Sequence, residues 1–227
     1  MADFIIAFFF IIFTIGVYLG AKKLYEKVTA PWTIPVIVGA FVIISFLLIF
    51  DIPYETYAIG GQWIEKLLGP AVVALAYPLY NQLALLKKYF IPIIAGVSLG
   101  AVIGLLSGYF FAKLFHVDDV YVFSLLPKSV TTPVAMAISD TLGGIPPLAA
   151  IFVMVAGISG VVLKSYMYRW CKMKTSLGRG IAIGSASHAL GTASALENSE
   201  EEAAFSSVAM ILSAVIVSVL APIFLLL

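Results

Sequence analysis

Apolar residues run through this chain in long blocks separated by short polar clusters. Six blocks, at 4–21, 33–50, 69–86, 91–114, 145–163 and 203–227, approach or exceed the length of a membrane span. A helix rises about 1.5 Å per residue, so about 20 apolar residues cross the hydrocarbon core. Each block is expected to form a spanning helix. Two further segments, 120–144 and 178–196, are long enough to enter a membrane but too polar or too interrupted to be plain spans. The stretch 61–68 (GQWIEKLL) reads as a short interfacial helix with Trp63 at the boundary, or as a linker.

The chain holds 13 Lys and Arg residues, and their placement sets orientation, because cytoplasmic loops carry the excess positive charge. Lys22, Lys23 and Lys27 follow the first block. Lys87 and Lys88 follow the third, and Lys164, Arg169, Lys172, Lys174 and Arg179 follow the fifth. With these clusters in the cytoplasm, the fourth block ends outside, near His116, Asp118 and Asp119. The fifth must begin outside, so 120–144 starts and ends on one side. It either turns round inside the membrane or forms an external loop with a surface helix. Its apolar runs YVFSLL and VAMAI favour the turn. Pro127 and Pro133 break helix, since each lacks an N–H and clashes with the preceding turn. A half-helix at 120–126, a turn PKSVTTP and a second half-helix at 134–142 are expected. Gly143, Gly144, Pro146 and Pro147 punctuate the exit.

The segment 178–195 (GRGIAIGSASHALGTASA) is different. Thirteen of its eighteen residues are Gly, Ala, Ser or Thr, which lets a neighbouring helix or a ligand approach the backbone. It leaves the basic loop and ends at Glu197, Glu200, Glu201 and Glu202. A straight crossing puts this acidic cluster outside. A turn near His188–Gly191 returns it inside, and the turn is the expected form. The last third then contains two units, each a re-entrant hairpin followed by a span, entering from opposite sides. Opposed units of this kind place a transport site at the midplane, where broken helices meet. The two units share no strong residue-by-residue identity, so the symmetry rests on topology alone.

Composition agrees. The chain is 62% hydrophobic and 11% charged, whereas a soluble domain is about 25% charged. This is a lipid-bilayer protein. A net charge of +1 gives no reason to expect nucleic acid. Cys171 is the only cysteine, which excludes an intrachain disulfide and a cysteine metal cluster. The first twenty residues hold no Lys or Arg, so 4–21 is expected to be a retained span rather than a signal peptide.

Candidate chemistry concentrates in the two interrupted segments. A half-helix beginning at Pro133, with Thr131 and Thr132 as cap residues, presents free N–H groups and partial positive charge. With Lys128 and Ser129 beside it, this turn suits a carboxylate. Lys128 also has a structural reading, as a lysine snorkelling to the interface. In the second segment Ser185, Ser187, His188, Gly191 and Thr192 are the candidates. His188 would donate to a substrate carboxylate or take up a coupling proton, or serve as a structural hydrogen-bonder. Asp140 and Glu197 are further coupling candidates, with capping or loop charge as the alternative. Arg179 reads as a positive-inside anchor before an anion contact. In the third block, Pro78 is expected to kink the helix beside Tyr77, Tyr80 and Asn81, and Asn81 is a candidate ligand contact. No metal site, cofactor or enzyme active site is expected: no nucleophile–base arrangement and no phosphate loop is readable.

LGPAVVALAYPLY, SVTTPVAMAISDTLGGIPPLAAIFV and GRGIAIGSASHALGTASALE together resemble the LrgB/CidB family, in order and spacing over roughly 60–227. The resemblance implies a multi-pass plasma-membrane protein acting beside a smaller LrgA/CidA-type membrane partner. It implies one of two functions. Members are described as antiholin- or holin-like modulators of murein hydrolase activity and autolysis. Related plastid proteins are glycolate/glycerate translocators, and related bacterial pairs resemble pyruvate uptake systems. The family's SVTTP core falls on Ser129–Pro133, and its SH-containing motif on Ser187–His188 with Gly191–Thr192. One departure stands out: members often carry a glutamate where this chain has Ala137.

The expected fold is all-α and polytopic, with about six spanning helices and two opposed re-entrant hairpins. Residues 1–68 form a scaffold-like part and 69–227 a transport core. A homodimer is expected, because scaffold spans of such transporters commonly pair. Costly polar turns inside a membrane suit a carrier of small organic acid anions better than a pore former.

Overall fold

The computed structural model describes all residues but Met1, Thr29, Leu75 and Leu227, and the side chains of all these but Ala2, Pro31, Leu68, Ala71, Val72 and Leu226. The described residues are helical, without a strand. The chain divides into two compact units, Met1–Pro70 and Ala71–Leu227.

The first unit holds α1 (Ala2–Lys27), a 3-10 turn (Pro31–Thr33), α2 (Pro35–Ile49) and α3 (Tyr54–Glu65). Pro35 opens α2 at a position where its missing N–H is not needed. Thr33 ties the preceding corner, its hydroxyl donating to the Val28 and Ala30 carbonyls. The helix of the second block is thus shorter than the block itself. The interfacial helix expected at 61–68 begins earlier, at Tyr54 behind Pro53, and ends at Glu65. Gly60 lets α3 press onto α1: a Cβ there would lie 2.9 Å from the Ala7 carbonyl. Tyr57 completes this contact, edge-on to Phe10 and hydrogen-bonded to Thr14.

The second unit starts with a correction. The 69–86 block is not one uninterrupted span: its described residues form α4 (Leu68–Ala74), α5 (Ala76–Asn81) and α6 (Leu83–Lys88), and the chain leaves helical geometry at Gln82. Pro70 and Pro78 each remove an N–H, and the Gln82 N–H is shared between the Pro78 and Leu79 carbonyls. Leu75, within the expected span, lies outside the described residues. Then follow α7 (Phe90–Leu114), α8 (Asp119–Leu125), a 3-10 turn (Leu126–Ser129), α9 (Thr132–Leu142), α10 (Pro146–Trp170), α11 (Ser176–Leu196) and α12 (Glu200–Leu220).

Four helices, α1, α7, α10 and α12, are long and apolar enough to cross a membrane. Half of the most apolar window of α12 is buried, against 22% in α7 and 17% in α10, which makes α12 the centre of its unit. Ile93 and Val97 of α7 pack with Phe205 and Val208 of α12 in one core. Leu105, Val122, Leu126, Val130, Ile138 and Val217 form another around the first hairpin.

Both hairpins return to the side they enter. In the first, Lys113 at the end of α7 pairs with Asp119 at the start of α8. After α9, Gly143 takes a left-handed φ of 80° that ends the helix. The Ile145 N–H then donates to the Ser124 hydroxyl at 2.7 Å. In the second, α11 is broken at His188, and Gly191 folds back until a Cβ on it would lie 2.6 Å from the Ile183 carbonyl. Arg179 at the start of α11 and Glu202 at the start of α12 both meet Tyr168 near the end of α10. The acidic cluster therefore lies at the basic end of the unit, the end that positive charge places in the cytoplasm.

Candidate functional site

α7 carries Gly96, Gly100, Gly104 and Gly108 at four-residue intervals, one face of a helix. Both hairpins use that face. A Cβ on Gly96 would meet Ile181, on Gly100 the Ser185 hydroxyl, on Gly104 the Ser129 hydroxyl, and on Gly108 the Lys128 ammonium at 2.8 Å. The first turn, through Ser129, and the first arm of the second hairpin, through Ser185, thus reach α7 one turn apart, about 6 Å along its axis. α10 repeats the device. Gly157 faces the His188 ring and Gly160 faces Ser187. Without side chains at these points, polar turns approach helix backbone directly. This glycine spacing is the signal that sequence reasoning missed.

The first turn brings together Lys128, Ser129, Thr131 and Thr132. Lys128 Nζ donates to the Gly104 carbonyl at 3.0 Å and makes no ion pair among the described residues. Thr131 is the N-cap of α9, and the helix begins at Thr132, one residue before the expected Pro133. The Thr131 hydroxyl makes no cap bond and, although buried, has no partner among the described residues. The Ala135 N–H closes the first helical turn onto the Thr131 carbonyl at 2.9 Å. The N–H groups of Thr132 and Val134 precede that bond, in the part of a helix that lacks internal acceptors.

The second turn is built on strain. His188 has φ 43° and ψ −132°, backbone that resembles the first central position of a II′ turn and ordinarily belongs to glycine. Such geometry costs about 1–3 kcal/mol and persists only where surroundings hold it. Here His188 Nε2 bonds the Val153 carbonyl of α10 at 2.9 Å, and the Thr192 hydroxyl reaches the His188 carbonyl and Ser206 of α12. Gly180 and Gly184 seat the first arm on α12, against the backbone of Glu202 and Ser206. Ser187 is fully buried and its hydroxyl is unpartnered among the described residues. Ser185 donates back to the Ile181 carbonyl, as a helical serine does.

Two cavities flank the meeting of the turns. One, of about 570 Å³, lies along α10 and is lined by Lys128, Ser129, Ser187, Lys164 and Tyr168. The other, of about 640 Å³, lies along α7 and is lined by Ser129, Ser185, Gly100 and Gly104. The first runs on to Cys171 and Met173, the second to Thr175 and Gly178, so both extend toward the basic end. Lys164 was read from the sequence only as an orienting charge. Its ammonium bonds the hydroxyl and carbonyl of Ser194 and lies 4.0 Å from Glu197.

The other candidates sit elsewhere. Glu197 is exposed beside Lys164 and Asp140 is exposed on α9. Asn81 ends α5, exposed, and lines neither hairpin cavity. Arg179 is held structurally, its Nε donating to the Met173 carbonyl and its guanidinium over the Tyr168 ring. Ala137 lines a separate apolar groove of about 500 Å³ with Val134, Ile138, Ile211 and Ala214, and lines neither hairpin cavity. No group of three or more His, Cys, Asp or Glu among the described residues is arranged to hold a metal ion.

These features, with the family match that follows, define an all-α, multi-pass plasma-membrane protein with two broken, re-entrant hairpins. The LrgB-like family profile matches residues 14–227, and the chain belongs to that family. It is 48% identical over 217 residues to the uncharacterized protein YxaC of Bacillus subtilis, covering 96% of this chain and 94% of that one. It is 38% identical over 227 residues to the holin-like protein CidB of Staphylococcus aureus, covering 100% and 99%. No solved structure matches it.

Proposed function

We propose that this chain is a secondary transporter of small monocarboxylates of the pyruvate, glycolate or glycerate class. One observation carries the reading. Lys128 of the first turn and Ser187, next to the break of the second hairpin, line the same cavity, and the buried Ser187 hydroxyl has no partner among the described residues. A buried hydroxyl without a partner costs about 1–3 kcal/mol, and a lysine at membrane depth costs more. A carboxylate satisfies both: Lys128 supplies charge, and Ser129 and Ser187, which line the same cavity, supply donors. The cavities, of about 570 and 640 Å³ with largely apolar walls, have room for a small organic acid. Both cavities extend to the basic end, which corresponds to a cytoplasm-open form. Movement of the hairpins against the spanning helices would open the other side.

The name of the CidB relative favours a second reading, a holin-like or antiholin-like modulator of murein hydrolase activity with no transport of its own. Uptake of radiolabelled pyruvate and glycolate into proteoliposomes separates the two. Saturable uptake by the chain alone establishes the carrier. Its absence with folded protein, and again after adding an LrgA/CidA-type partner, leaves the modulator.

A further inference from the structure

Glu202 is the most deeply buried carboxylate among the described residues, 2% exposed in the first turn of α12. Its surroundings are neutral where they touch it. The Tyr168 hydroxyl donates to Oε1 at 3.1 Å and the Asn198 amide donates to the same oxygen at 3.0 Å. Its backbone N–H is capped by Ser199. The ion pairs among the described residues are Lys113–Asp119 and Lys164–Glu197, and neither includes Glu202. Of the charged groups on the elements around it, Arg179 of α11 is turned to Met173 and the Tyr168 ring, Lys164 of α10 to Ser194 and Glu197, and Arg169 of α10 is exposed. Glu200 and Glu201 of its own helix are exposed. Burial removes water from this carboxylate and leaves two neutral donors in its place, so a proton can come and go without breaking an ion pair.

Tyr168 makes that proton consequential. Its hydroxyl has one hydrogen and two acceptors in reach, Glu202 Oε1 at 3.1 Å and the Arg179 carbonyl of α11 at 3.2 Å. When Glu202 is ionised, the hydrogen belongs to the carboxylate. When Glu202 takes a proton, its own O–H donates to the Tyr168 oxygen and the tyrosine hydrogen turns to Arg179. The bond between α10 and the first arm of the second hairpin then strengthens. Tyr168 also lines the cavity that holds Lys128, Lys164 and Ser187.

Building on the transport reading above, we propose that Glu202 carries the coupling proton of this protein and that Tyr168 passes its protonation state to the second hairpin. The anion then crosses with one proton, taken up on Glu202 and released at the basic end.

The test uses the full-length protein in proteoliposomes, with radiolabelled pyruvate or glycolate, whichever the wild type exchanges. Glu202→Gln is expected to keep exchange between equal pools and lose accumulation driven by an inward proton gradient. Retained accumulation overturns the assignment, and so does loss of exchange by a folded E202Q protein. If E202Q does not fold, Tyr168→Phe decides. A shifted pH dependence of gradient-driven uptake supports the relay, and an unchanged one overturns it. Infrared spectra on acidification give a readout free of transport. The wild type should gain a protonated-carboxyl band that E202Q lacks, and no such difference overturns the proposal. A wild type that exchanges nothing sinks the transport reading, while the infrared band still reports whether Glu202 titrates.

Discussion

The two hairpins break their helices by different means. The first does so with covalent chemistry: Pro127 sits within a 3-10 turn, Pro133 opens the helix that follows, and Gly143 ends that arm in open space. The second contains no proline at all. Its break is a histidine in a glycine conformation, held from outside by α10 and α12. The first break is thus written locally and the second is imposed by packing. Such an imposed break is the more sensitive to its neighbours, and the more suited to respond to them.

That contrast can be broken at several points. The largest effect is expected where the second hairpin meets backbone. A side chain at Gly184 runs into the Ser206 carbonyl, so Gly184→Val should cost about 3 kcal/mol or more. At the first hairpin Gly143 has nothing within 4 Å and needs only its left-handed φ, so Gly143→Ala should cost about 1–2 kcal/mol. Thermal unfolding in detergent measures both, and equal losses would contradict the distinction. Next come the polar groups. Lys128→Ala should lower anion uptake more than about tenfold, the loss expected for a charge-assisted contact of about 1.5–3 kcal/mol, with folding intact. Uptake within error of wild type would move the site away from the first turn. Smaller still is the strain at His188. His188→Gly and His188→Ala lose the same bond to Val153, but only glycine relieves the backbone. The glycine variant should be the more stable by about 1 kcal/mol, and the reverse order would mean that the break is not strained. The smallest effect belongs to the caps. Ser124→Ala removes the acceptor of the Ile145 N–H and Thr175→Ala the acceptor of the Gly178 N–H. Each should cost about 1 kcal/mol in the same unfolding assay, without changing which face of α7 the hairpins meet.

Much of this was readable along the chain. Lysine and arginine placement required 120–144 to turn back, and its prolines located the turn. Small-residue content marked 178–195 as a place of close approach, and the turn near His188 followed. The same procedure read 69–86 as one span because hydropathy integrates over a window, whereas the helix stops and restarts at a single residue, Gln82. It took Lys164 and Arg179 for orienting charges, which their positions support, but it had no means of pairing Lys164 with Ser194. It passed over Tyr168 and treated Glu202 as one of a loop's acids.

Sequence alone determined the class of environment, the number of long apolar stretches and the proline break of the first hairpin, because lipid makes every exposed polar group costly and proline acts on its own turn. Tertiary structure decided which breaks meet, which glycines receive them and which carboxylate loses water. Those are contacts between segments tens of residues apart. Glu202 and Tyr168 are 34 residues apart. Their hydrogen bond exists because α11 folds back and brings the start of α12 beside the end of α10.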